Sequence, residues 1–187
     1  MRATDQLKEE HKAIKLMLEV LEKVCEKLEK NEKVNGEDLE KIVDFIRTFA
    51  DRCHHGKEED LLFPAFEEAG IPREGGPIGV MLSEHEMGRN YVKGMNIALE
   101  GCKAGDAKAY SDFIKNARGY ISLLSDHIYK EDNILYPMGD MRISDEKQKE
   151  LLEKFEEVEK ERIGPGKHEE YHRLLHRLSE VYLGKAH

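Results

Sequence analysis

A chain of 187 residues, 37% of them charged and with a mean hydropathy of −0.69, is long enough for one domain with its own core. It contains no run near the ~20 apolar residues that a membrane span requires. Thirty Lys and Arg stand against 39 Asp and Glu, and this net charge of −9 disfavours nucleic acid, whose phosphates need clustered positive charge. The scattered Cys25, Cys53 and Cys102 form no CxxC pair, which argues against a disulfide scaffold. No apolar stretch follows the opening MRATDQLKEEHK as it would in a signal peptide, so the expected location is cytoplasmic.

Gly and Pro punctuate the chain at Asn35-Gly36, Gly70 to Pro77, Gly105, Pro137 to Gly139 and Gly164 to Gly166. Between them no strand-like alternation survives, and helices are expected at about 4–31, 37–68, 77–104, 107–137, 144–161 and 167–183. Thr4-Asp5 and Ser144-Asp145 read as helix starts. The first helix has the clearest seam, in which Leu7, His11, Ile14, Leu18, Leu21, Cys25 and Leu28 alternate steps of four and three. On the second, Ile42, Ile46, Ala50, His54, Glu58, Leu61 and Ala65 share a face. The third carries Ile78, Leu82, His85, Val92 and Met95, and the fourth Tyr120, Leu124, His127, Glu131 and Ile134. Short linkers imply antiparallel neighbours. The expected architecture is all-α: an up-down-up-down four-helix bundle over about 4–138, extended by two C-terminal helices over about 144–183.

An internal repeat joins the four histidines. HHGKEEDLLFP, from His54 to Pro64, aligns with HIYKEDNILYP, from His127 to Pro137, and five of the eleven positions are identical. Glu10-His11 and Glu84-His85 echo each other 43 and 42 residues earlier, so the chain reads as two copies of one helical hairpin. In an antiparallel bundle His11 and His85 lie about 20 and 19 residues before their helix ends, and His54 and His127 about 17 and 20 after their helix starts. That spread of three residues amounts to about 4–5 Å of height, so the four rings share a layer with Glu58 and Glu131 a turn beyond.

One histidine on an apolar face is ordinary core. Four at one level with two inward glutamates need a cation, because two bare buried carboxylates would each cost on the order of several kcal/mol in lost hydration or stay protonated. Imidazole with carboxylate and no thiolate points to iron first and manganese second. Two bridging glutamates and two histidines per ion give four protein ligands each. An oxo or hydroxo bridge between two irons makes five and leaves a position open for a small ligand.

These residues resemble the hemerythrin-like proteins, the HHE cation-binding family. The carriers of the resemblance are His11, HHGKEEDLLFP, SEHEMGR around His85, and HIYKEDNILYP, over about residues 4–138 of a single domain spanning 1–187. The resemblance implies a four-helix bundle with a non-haem di-iron centre, His11, His54, His85 and His127 as terminal ligands and Glu58 and Glu131 as bridges. It also implies a small partner, either a diatomic (dioxygen or nitric oxide) or peroxide, bound for sensing, scavenging or a redox response. Turnover of peroxide or nitric oxide, or iron donation for repair, is the enzymatic alternative, and a metal-free helical adaptor is the third. The oxygen carriers show His-xxx-His on the third helix, where this chain has Arg89, and a final aspartate five residues after the fourth-helix histidine, where this chain has Glu131 at four. Their fifth histidine has no evident match, and the pattern resembles the branch with two HxxxE blocks.

Several neighbours compete for roles. His55-xxx-Glu59 is a rival register; in the preferred one His55 flanks the site or faces solvent, and Glu59 and Asp132 point about 100° away from it. His168, His172 and His176 share a face, one of them a candidate for a further ligand, and HEEYH over 168–172 matches the zinc-protease HExxH without a strand or a ligand at Leu178. The ferritin Glu-xx-His pattern fails, since Lys8, Asp51, Leu82 and Leu124 precede the histidines. Tyr91, Tyr120, Tyr129 and Tyr136 either line an access path or pack in the core with wet hydroxyls, and Cys53 adjoins His54.

Overall fold

The computed structural model describes residues 1–184, and among them every regular element is helical. We label them α1 (Ala3–Glu29), α2 (36–68), α3 (Pro77–Lys103), α4 (107–140), α5 (Asp145–Arg162) and α6 (Lys167–Leu183). None of them is long and apolar enough to cross a membrane.

The termini follow local chemistry. Asn35, Asp106 and Ser144 cap α2, α4 and α5, their side-chain oxygens accepting from Glu37 N, Lys108 N and Lys147 N at 3.0–3.1 Å. Pro77 opens α3, and Asn31 beyond α1 takes the left-handed conformation (φ 55°) that closes a helix. The start of α1 differs from expectation. Thr4 is fully buried inside the first turn, its hydroxyl donating to Asp140 at 2.9 Å, while the Arg2 amide donates to Asp5.

Contacts between long helices pair residues in reverse chain order. Thr4, His11 and Glu22 of α1 meet Asp140, Asp132 and Arg118 of α4. Glu59, Asp51 and Glu40 of α2 meet His85, Arg89 and Lys103 of α3. The buried apolar side chains divide into two clusters. One holds Ile14, Leu18, Ile42, Ala50, Val92 and Leu124; the other holds Leu7, Leu62, Phe63, Met81 and Leu135. Each histidine of the expected layer lies between them along its own helix, so a polar layer cuts the core in two. The last two helices brace one part each: α5 adds Leu151 and Phe155 to the second cluster, and α6 adds Tyr171, Leu175, Leu178 and Tyr182 to the first.

Both repeat blocks depart from α-helical winding. The carbonyl of Glu58 accepts from Phe63 N, and that of Glu131 from Tyr136 N, five residues on in each case. These π turns each end directly before a proline, Pro64 or Pro137. Proline has no N–H and its ring clashes with the carbonyl four residues back, so a widened turn before it relieves the crowding. A longer π segment, Ile46–His55, leads into the first block.

Candidate metal centre

The structure gathers all six expected residues. His11, His54, Glu58, His85, His127 and Glu131 are each at most 2% exposed. The rings form two pairs, His11 with His54 at 4.6 Å between centroids and His85 with His127 at 4.9 Å. Glu58 Oε1 sits between them, 3.3 Å from His54 Nε2 and 3.7 Å from His85 Nε2, and Glu131 Oε1 lies against His127 Nε2.

A fifth histidine joins them. His55 is 4% exposed and stacks on His85 at 3.9 Å and 17°, and with Glu58, His85 and His127 it offers ligand atoms within 4.8 Å of one another. Regular α-helical spacing turns His55 about 100° from His54. The π segment ending at His55 changes that winding and brings both rings inside.

Each of the five rings presents Nδ1 to a carboxylate. His11 meets Asp132 at 2.6 Å, His54 meets Glu10 at 2.9 Å, and His85 meets Glu59 at 2.7 Å. His127 meets Glu84 at 3.0 Å and His55 meets Asp51 at 3.2 Å. A carboxylate there selects the tautomer with the proton on Nδ1 and leaves the Nε2 lone pair bare. Glu59 and Asp132, expected to point away, therefore hold rings in place from the neighbouring helix. Glu10 and Glu84 were visible only as an echo in the repeat, and nothing local to them names their distant partners.

This network obeys the twofold relation of the repeat. Glu10 holds His54 within the first hairpin as Glu84 holds His127 within the second, and each of these acids is pinned at 2.6 Å by a lysine, Lys57 or Lys130. Glu59 crosses to His85 of the second hairpin as Asp132 crosses to His11 of the first. The symmetry breaks at two aligned pairs. His55 stands opposite Ile128. Tyr136 stands opposite Phe63, and its hydroxyl donates to Glu58 Oε2 at 3.0 Å while its ring stacks on His11.

Burial holds the His11, His54 and His85 rings below their ordinary pKa and brings His127 down to about 4, so all four are neutral at pH 7. Burial pushes the Glu131 carboxyl well above the usual carboxylate range. Inside the layer, His11 Nε2, His54 Nε2, Glu58 Oε1 and both Glu131 oxygens have no hydrogen-bond partner among the described residues. His85 Nε2 and His127 Nε2 face each other at 3.2 Å, two bare lone pairs if both Nδ1 atoms carry protons. Each unsatisfied buried atom costs about 1–3 kcal/mol. A cation among them removes that cost, and nitrogen with carboxylate oxygen and no thiolate suits a metal of intermediate hardness. The donor set fits a metal.

The C-terminal histidines lie elsewhere. His168 stacks on Phe49 at 5.3 Å and offers a ligand atom within 4.8 Å of Glu10 and Glu159, but the Lys57 ammonium already bridges those two acids at 2.6 Å each. His172 is exposed. All three cysteines are buried and free, and burial pushes the Cys53 thiol up to about 12, which leaves it inert.

Comparison with known proteins agrees with this centre. Uncharacterized proteins of Mycobacterium bovis and Mycobacterium tuberculosis are 25% identical to this chain over 162 residues, which is 87% of its length and 63% of theirs. The chain thus spans under two thirds of the curated relatives it matches. No solved structure matches it. The family model described as the hemerythrin HHE cation binding domain matches residues 2–139, which include every residue of the buried layer, and the chain belongs to that family.

Proposed function

We propose that this protein is an antiparallel up-down-up-down four-helix bundle holding two iron ions between its two apolar clusters, and that it binds a small diatomic molecule or peroxide there. The observation that carries the reading is the set of inward polar atoms without partners, on rings whose outer nitrogens are all committed to acids. His11 and His54 would serve one ion and His85 and His127 the other, with Glu58 and Glu131 shared. Iron held this way supplies an open coordination position and reversible electron transfer.

The chain's own residues account for the rest. The four acids at Nδ1 aim the rings, the apolar clusters on either side exclude water, and Tyr136 holds one oxygen of Glu58 by donating a hydrogen bond to it. His55, beside His85, makes the two positions unequal. The proposed roles are sensing, scavenging or a redox-stress response in the cytoplasm, with no membrane or nucleic-acid partner.

Metal content and optical spectra of protein purified without oxygen, before and after air, test this. About two irons per chain with a new near-ultraviolet charge-transfer band is the expected result; folded protein that takes up no metal overturns it. Steady turnover of peroxide or nitric oxide by the loaded protein would move it from the binding reading to the enzymatic one.

A further inference from the structure

A cavity of about 300 Å³ opens between α2 and α3 beside the histidine layer. Its floor includes His55, His85 and Tyr120, all buried, and its rim carries the exposed Arg47, Arg52 and Lys93. Asp51 and Arg89, also in its wall, are committed to each other at 3.0 and 3.1 Å, and Arg89 further pairs with Glu59 and Glu86. The side chains of Arg47, Arg52 and Lys93 form no ion pair among the described residues. Three uncompensated cations thus surround one opening in a chain whose net charge is −9.

The floor adds a donor. Tyr120 lines the cavity at 2% exposure, and its hydroxyl forms no hydrogen bond with protein among the described residues. That hydroxyl is not sealed in the core, so its proton is free to be shared with whatever occupies the cavity. Cations at the mouth with a free donor at the base suit an occupant that is negatively charged, compact and rich in acceptors. Rim cations also draw such an ion toward the opening from a distance.

We propose that this cavity binds a small inorganic oxoanion, with Arg47, Arg52 and Lys93 at the mouth and the Tyr120 hydroxyl donating to it from the floor. The site rests on protein groups alone and stands whether or not the histidine layer carries metal. An anion here lies against the His55 and His85 side of the layer, so its charge bears on that side only.

Calorimetric titration with sodium sulfate, a weak iron ligand, at pH 7 and low salt tests the proposal on the full chain, both as purified and after chelator treatment. One sulfate per chain is expected in both forms, with affinity falling as sodium chloride is added. The double variant Arg47→Gln/Lys93→Gln should bind at least tenfold more weakly and Tyr120→Phe severalfold more weakly. Lys108→Gln, which alters an exposed lysine elsewhere, should bind as the parent does. Circular dichroism checks that the variants fold, and the rim variant keeps the test sharp if Tyr120→Phe does not. No saturable sulfate binding, equal binding by the rim variant, or binding only when metal is present each overturns the proposal, and the last would assign the anion to the metal. Metal content is measured separately, so failure here leaves the iron reading standing.

Discussion

Each buried histidine of the centre has one nitrogen tied to an acid and the other aimed inward, and this division of labour sets what single substitutions should do. Glu10→Gln or Glu84→Gln keeps the shape of the side chain but weakens its hold on His54 or His127 and removes an ion pair from Lys57, which keeps Glu159, or from Lys130. Metal affinity should fall about 10- to 100-fold in competition with a chromophoric chelator. Glu9→Gln, beside Glu10 but exposed and, among the described residues, paired only with Lys12, should change nothing. Glu131→Met should abolish tight metal binding while leaving the metal-free protein folded and no less stable, because it replaces a carboxyl that burial disfavours with an apolar side chain of similar size. Thermal melts of the metal-free pair measure the second effect; a markedly lower melting temperature for Glu131→Met would mean that the contact of the carboxyl with His127 Nε2 supports the metal-free core.

At the level of the element, the π turns matter more than helix length or capping. Each places a glutamate at the start of a five-residue loop that closes in front of a proline. Pro137→Ala restores an N–H and removes the ring, so the turn can relax toward ordinary winding and rotate Glu131 relative to Tyr136. The expected outcome is unchanged helix content by circular dichroism with markedly weaker metal binding. The same winding explains what the sequence withheld. Steps of three and four along unbroken α-helices were enough to put His11, His54, His85 and His127 in one layer. That arithmetic fails where the helix widens, which is why His55 reads as a flanking residue and is found inside. Glu59 and Asp132 were misplaced for another reason: they turn away from their own helix's site face and reach a histidine on the next helix, a contact no single-helix periodicity encodes.

For the molecule as a whole, metal and protons compete. The four rings sit below 6.5 when folded and return to that value when unfolded, so between 6.5 and about 4 the unfolded chain binds more protons. Histidine therefore contributes a loss of stability as pH falls through that window. Glu131, raised when folded, works the other way above the ordinary carboxylate value and offsets part of it. Bound metal adds RT ln(1 + [L]/Kd), on the order of 3–4 kcal/mol at 100 to 1,000 times Kd, and this is lost as protons displace it. Melts of loaded and chelator-treated protein should differ at pH 7 and converge near pH 5. Identical curves at pH 7 would remove the metal from the account.

The crossed acids also set an order of events during synthesis. His11 emerges early, but Asp132, which orients it, and Tyr136, which stacks on it, come more than a hundred residues later. His85 and Glu59 are likewise supplied by different halves of the repeat. A nascent chain that has made only the first hairpin owns two of the four rings of the layer and one of its two inner carboxylates, with one of the rings still unaimed. Under the metal reading proposed above, tight capture of an ion would have to wait until both halves are present and docked. A loaded centre would then certify a finished fold, and a truncated or stalled product would be left without its cargo.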